Sequence, residues 1–426
     1  MLRGSVELSH QTRSAATGSR NLGNNVKEVW KGLGAAALWG KRILQQRRIP
    51  VMKTRRIGKA PLQGWLCFLL LLVFFLSAVS ITQPLAAAAG QEHQGDELFR
   101  DPALEEAVRR AVQKPDGALS PDDLRSITDL RAENQGITDL GGLEQLVNLR
   151  YLWLSGNKIS DLGPLAHLHE LQDLYLDDNE ISDLSPLSGL SSLSWLSLEG
   201  NAIEDVGPLA TLTGLELVSL GRNRIKDIHP LSLIKNLTVI LAAGNAIQAP
   251  ALSDLPRLYY LDLSGNHISD LSLLSGLPRL EYLNLSNNRL SDLSPLAQLT
   301  SVTSLHLSGN EELSDLGAVA SLSELEFLSL SDLPNLEDIS PLAALTTLRR
   351  LELTRTKISE NSALGSITSL QFVELSGNRL GEIEVLLSLP NLGYVDVREN
   401  EPEGGAQPNW AETISELQAR GVNVDY

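Results

Sequence analysis

The sequence predicts an α/β solenoid: a curved horseshoe with a parallel β-sheet on its concave face, short 3-10 or irregular turns on its convex face, and a helical N-terminal cap. Three observations predict it. A frame L-x-x-L-x-x-L-x-L-x-x-N-x-L-x-D-L-x-P-L-x-x recurs, seen in full from Leu277 to Gln298 as LPRLEYLNLSNNRLSDLSPLAQ. It opens at Leu124, Leu146, Leu168, Leu190, Leu212, Ile234, Leu255, Leu277, Leu299, Leu322, Leu345, Ile367 and Leu389, and nine of these twelve steps are 22 residues, one 21 and two 23. Within most units, alternating leucines are followed by a turn asparagine and then by Asp, and often by Pro.

One unit carries the physics of the whole. In Leu283-x-Leu285 the alternation puts both leucines on one face of a short strand. Asn288 follows where the chain must turn, and its amide both donates and accepts, so it can satisfy turn backbone inside a stack. Leu290, Leu293 and Leu296 return to the same core; Pro295 stands where a short helical turn begins without needing an N–H, and Asp292 precedes it as a cap. No unit can bury its leucines alone, whereas stacked neighbours can; this is the leucine-rich repeat period. Thirteen strands at about 4.8 Å spacing make an arc of roughly 58 Å. The bulkier turn segments opposite the sheet force the stack to curve.

The formal charge of −17 over 426 residues hides two regions. Residues 1–89 carry 13 Lys and Arg against 2 Asp and Glu, which leaves 22 basic and 50 acidic residues, a charge of −28, for residues 90–426. The acidic part should repel nucleic acid and anionic lipid. The single cysteine, Cys67, lies in an apolar stretch, so residues 90–426 have no disulfide and no thiolate metal site. Cysteine-free repeat ends fit a bacterial origin.

Residues 1–51 lack periodicity and read as a disordered basic extension. From Met52 a positive segment, the apolar Trp65–Ile81 and an Ala-rich site around Ala89 together describe a secretory signal peptide over 52–89, with a signal anchor as the alternative. Met1 and Met52 are the only methionines, and a start at Met52 gives a signal peptide of ordinary length. Residues 1–51 are therefore expected to be a mis-assigned start. Residues 90–123 form a linker and a helical cap: Asp101-Pro102 opens one helix, with Leu104, Val108, Ala111 and Val112 on a face, and Ser120-Pro121 opens a second. The repeats occupy 124–400, about 12–13 of them. Residues 401–426 form a C-terminal cap, with a helix over Trp410–Arg420 (Ala411, Ile414 and Leu417 on one side) and a last strand over Val422–Val424.

The helix DPALEEAVRRAV, then ITDLRAENQGITDLGGLEQL, then 22-residue repeats carrying N-x-I-x-D-L-x-P-L, resemble the internalin-type leucine-rich repeat domains of secreted and surface bacterial proteins over roughly residues 96–400. The resemblance implies that the concave face binds a partner protein. No LPxTG-like motif or apolar tail precedes Tyr426, so covalent wall attachment is not expected. The turn asparagine is missing at Leu333 and Thr356, which predicts local irregularity around Ser331–Asn361.

The residues flanking each inner strand leucine face outward. Residues 124–399 contain ten aromatics, and nine occupy these outward positions, with Tyr259 adjacent on its strand. The candidate binding residues on this face are Tyr151, Trp153, Tyr175, Trp195, Leu217, Val239, Leu241, Tyr260, Tyr282, His306, Phe327, Phe372 and Tyr394. Tyr and Trp are the usual anchors of protein interfaces. Aromatics also suit strands and stack across neighbours, which explains a bias but not their near-absence from the rest of the repeats. Leu217, Val239, Leu241 and Tyr260 add a central apolar patch.

The aspartates recurring at Asp161, Asp183, Asp205, Asp227, Asp270 and Asp292 read as turn caps rather than metal ligands, and His167-x-His169 as surface. No arrangement for nucleophilic catalysis and no phosphate-binding loop stands out, so neither an enzyme nor a cofactor is expected. The expected protein is a monomeric, secreted or surface-bound bacterial scaffold that binds a protein, not nucleic acid, and touches a membrane only through an uncleaved N-terminal segment. The alternatives are a binder of cell-wall or host-surface polymer and a passive envelope component.

Overall fold

The computed structural model describes residues 98–403 and 409–426. The basic extension over 1–51 and the signal-peptide reading of 52–89 lie outside them. One parallel sheet runs through the described chain, its strands paired in strict sequence order. The strands are Asp129–Arg131 (β1), Tyr151–Trp153 (β2), Asp173–Tyr175 (β3), Trp195–Ser197 (β4), Leu217–Ser219 (β5), Val239–Leu241 (β6) and Tyr260–Asp262 (β7). They continue with Tyr282–Asn284 (β8), Ser304–His306 (β9), Phe327–Ser329 (β10), Arg350–Glu352 (β11), Phe372–Glu374 (β12), Tyr394–Asp396 (β13) and Asn423–Asp425 (β14). Each is three residues long because only the alternation around one inner leucine is extended; two residues later the chain turns back into the core. Leu152, Leu174 and Leu196 pair across neighbouring strands and are fully buried, while the flanking residues point away from the core.

Helix α1 (Pro102–Ala111) and helix α2 (Pro121–Arg125) precede β1. Asp101 caps α1 through Ala103 N (2.9 Å) and Leu104 N (3.3 Å), and its second oxygen accepts from Thr138 N (2.8 Å), tying the cap to the first repeat. Ala107 joins Leu104 and Val108 in the core, whereas Ala111, expected on that face, is exposed in the last turn. Ser120 and Asp123 form a reciprocal capping box for α2. At the other end, helix α3 (Ala411–Ala419) buries Thr413, Ile414 and Leu417; Ala411 is exposed, so Thr413 rather than Ala411 takes the inward place. The Trp410 indole donates to Gly381 O (3.0 Å) and anchors this helix to the last repeats.

The turn asparagines form a ladder through the stack. Asn288 donates to the carbonyls of Leu263 (3.0 Å) and Leu285 (3.0 Å) and accepts from Ile268 N (2.9 Å). Asn157, Asn179, Asn201, Asn223, Asn245, Asn266, Asn310 and Asn400 repeat the pattern. The ladder stops at Leu333 and Thr356, where the Thr356 hydroxyl and N–H turn instead to Asn378 Oδ1. The irregularity expected around Ser331–Asn361 is confined to this break: Leu328 and Leu351 keep register, and the 3-10 turns Ser340–Ala344 and Ser362–Ser366 are present. The turn side departs from its pattern elsewhere. The repeats opening at Ile234 and Leu255 have no 3-10 turn, and an isolated bridge joins Ser253 to Ser275. The first of these is the 21-residue repeat; in the second Leu273 stands at the turn-Pro position, as Ala318, Ala363 and Val385 do in units that keep their 3-10 turn.

Removing a ladder amide leaves two buried carbonyls and one buried N–H unpaired. Asn288→Ala is expected to cost on the order of 3 kcal/mol. Thr356→Asn, restoring an amide in the gap, should be neutral or stabilising. Urea denaturation of the two variants checks both signs.

Candidate binding face

Three-residue strands display two outward columns, one from each strand's first residue and one from its last. Neighbouring strands lie about 5 Å apart, close to the thickness that lets rings stack. The aromatics use this spacing. Trp153 and Tyr175 stack at 5.7 Å between centroids and 6° between planes, with Tyr151 and Trp195 beside them at 6.2 Å each. Farther along, Tyr260 and Tyr282 stack at 4.1 Å and 3°. His306, two residues along the strand from Ser304, takes the place a ring at Ser304 would fill, its ring 4.9 Å from Tyr282 and 4.6 Å from Phe327, and Phe372 and Tyr394 stack at 4.4 Å. All these aromatic side chains and His306 are half-buried, each covered partly by the next.

Two arginines complete the stacks, and neither was singled out from the sequence. The Arg131 guanidinium lies 3.9 Å over Trp153, and that of Arg350 lies 4.0 Å from Phe372 and 5.6 Å from Phe327. Their position in the same columns as the rings is the signal that finds them. With Arg350 in place, the row from Tyr260 to Tyr394 is continuous. The row is interrupted only at β5 and β6, where Leu217 and Val239 are each 7% exposed and Leu241 is half-buried. The central apolar patch is therefore smaller than alternation alone implies.

The second column changes character along the sheet, from Arg131, Trp153 and Tyr175 at one end to Glu352, Glu374, Asp396 and Asp425 at the other. Arg350 pairs with Glu352 (2.7 Å) and Arg398 with Asp396 (2.8 Å), while the Tyr394 hydroxyl donates to Asp425 (2.8 Å). Burial, together with the Glu352 carboxylate, pushes the Glu374 carboxyl up. Among the described residues no group of three or more His, Cys, Asp or Glu side chains is gathered as for a metal ion. The recurring aspartates of the turn side are occupied by backbone: Asp161 accepts from Gly163 N (2.8 Å), Asp205 from Gly207 N (2.7 Å) and Asp292 from Ser294 N (2.8 Å).

Comparison with known proteins follows the repeats. The family models described as Leucine Rich repeats (2 copies) and Leucine rich repeat match residues 125–167, 147–189 and 278–322, and residues 245–290, respectively. The crystal structure of an internalin (inlF) from Listeria monocytogenes is 30% identical to this chain, covering 70% of it and 95% of the Listeria chain, with a TM-score of 0.60. This chain belongs to the internalin-like leucine-rich repeat proteins. A leucine-rich repeat protein of Leptospira interrogans shares the fold at 20% identity and a TM-score of 0.63, covering 76% of this chain and 98% of that one. A comparison with curated proteins finds no match. Internalin-like proteins are surface or secreted bacterial proteins, and leucine-rich repeat proteins of this type generally act as protein-binding scaffolds.

His306 gives the face a measurable signature. Burial among Tyr282, Phe327 and its neighbours holds its imidazole down at about 4, against an ordinary value of 6.5. As pH falls from 6.5 toward 4, the unfolded chain takes up a proton at this position and the folded chain does not, so stability is lost over that window by up to about 3 kcal/mol. His306→Phe should flatten the loss. Urea denaturation of the wild type and the variant at pH 7 and pH 4.5 checks it.

Proposed function

We propose that this internalin-like chain is a secreted or surface-bound scaffold that recognises a partner protein through the aromatic face of its sheet, the concave side of the solenoid. The observation that carries this reading is the placement of the rings: nine of the ten aromatics of residues 124–399 sit at outward strand positions and form stacks at the surface rather than in the core. Rigid, half-exposed Tyr and Trp side chains offer large contact area at little entropic cost, as interface anchors do. The charge of −28 over residues 90–426 favours a partner with basic groups at the rim, which would accelerate its association at low salt.

The polymer-binding alternative asks for ring faces open to sugar rings. Here Trp153 and Tyr175, and Tyr260 and Tyr282, cover each other's faces and turn their edges outward, which favours a protein surface. Export rests on the signal-peptide pattern of residues 52–89.

The test is affinity capture with the wild type and with a folded variant carrying Tyr151→Ala, Trp153→Ala, Tyr175→Ala and Trp195→Ala. A partner held by the wild type should bind the variant at least about 100-fold more weakly, given about 2 kcal/mol or more for each true anchor. Equal capture by both would move the site off this face, and no capture would favour the passive envelope role. Retention on purified cell wall lost with Trp153→Ala and Trp195→Ala would favour the polymer reading.

A further inference from the structure

Two polar atoms on the aromatic face have no partner. The Trp195 indole Nε1 on β4 and the Ser219 hydroxyl on β5 are both shut off from water and unpaired. Ser219 is 1% exposed although its strand position points away from the core. A side chain must therefore lie over it. The register places Ser197 and Leu241 directly opposite Ser219 and Trp195 opposite Leu217, so Leu241 flanks Ser219 on one side and Trp195 is the aromatic side chain within diagonal reach on the other. The neighbouring hydroxyl offers no help, because Ser197 is turned to the buried carboxyl of Asp177.

Buried donors without partners destabilise a fold, and a pair of them at a surface otherwise suited to binding needs an account. We propose that Trp195 is a movable cover over a hydrogen-bonding point for a backbone carbonyl oxygen of the protein partner, a proposal that rests on the protein-binding reading above. Rotation of the indole off Ser219 opens the point, and the incoming oxygen accepts from both the indole N–H and the hydroxyl. The chemistry selects the ligand atom. An indole N–H only donates, so the ligand atom is an acceptor, and a carbonyl oxygen has two lone pairs, one for each donor. The carboxyl of Asp177, two strands from Ser219 with Ser197 between them, opposes an anion, which leaves a neutral carbonyl rather than a carboxylate or phosphate. Leu217 and Leu241 beside the point supply an apolar surround that keeps the two hydrogen bonds dry.

Two measurements test the proposal. Ser219→Ala deletes an unpaired hydroxyl, so the melting temperature of the full chain should stay level or rise by about 1–3 °C; a fall of that size means that the hydroxyl has a partner and overturns the inference. A phage-displayed library of random twelve-residue peptides is then selected on the wild-type chain, and the enriched peptides are measured on variants. Trp195→Phe keeps a ring but no N–H; with Ser219→Ala it should weaken the peptides about tenfold or more. Peptides that bind this double variant like wild type, yet are lost on Tyr151→Ala with Trp153→Ala, overturn the carbonyl site and leave the protein-binding face standing. Peptides indifferent to all of these variants overturn both.

Discussion

A parallel stack of short strands leaves buried carbonyls at every turn, and the molecule depends on how these are met. Each strand is three residues long, so the sheet pairs only part of each repeat's backbone. The turn that follows dives into the core at once, carrying carbonyls such as Leu263 O and Leu285 O where water cannot follow. The asparagine amide meets two of these carbonyls and accepts one N–H, linking each repeat to the one before it. Leucine packing supplies most of the stabilisation, but it is non-directional. The amide ladder is what fixes the spacing and makes neighbouring repeats superimposable.

Superposition has a consequence on the opposite face. When strands repeat in register, so do their outward side chains, and a ring at one position finds the next ring a strand away. Tyr260 with Tyr282, and Phe372 with Tyr394, stack because the core beneath them is periodic. Arg350 between Phe327 and Phe372 extends the row with a charge-bearing plane in place of a ring. The same periodicity that builds the scaffold thus aligns a rigid surface across most of the sheet.

Most of the fold was legible in the residues, because a repeat with period-two strands leaves little freedom. The outward positions from Tyr151 to Asp396 fall on the ends of the observed strands, and the terminal helices lie where Asp101-Pro102, Ser120-Pro121 and Trp410 place them. What escaped depends on the neighbours of a residue rather than on its own position. Leu217 and Val239 point outward yet are covered. His306 stacks on rings of the adjacent column, and the unpaired Trp195 and Ser219 show only once side chains are placed. The missing asparagines at Leu333 and Thr356 were visible, but their effect stayed in the ladder because leucine packing and sheet pairing carry the register across the gap. The lost 3-10 turns lie instead at Ile234–Gly276, where the first unit is one residue short and Ser253 bridges to Ser275 of the next.

The gap in the ladder also changes how neighbouring repeats are coupled. In a one-dimensional array, cooperativity passes from unit to unit through nearest-neighbour coupling, and the chain behaves as one body only while every junction is strong. The amide links run from Asn157 to Asn310 and resume at Asn378. Between them the units are joined instead by leucine packing, strand pairing and side chains nearer the surface: Asn335 donates to Glu311 O (2.9 Å), Thr347 to Ser323 O (2.7 Å), and Arg355 pairs with Asp332 (2.6 Å). An exposed ion pair couples neighbours less strongly than a buried amide, so β10–β11, where Phe327 and Arg350 meet, is the place where local opening under load or heat is expected first.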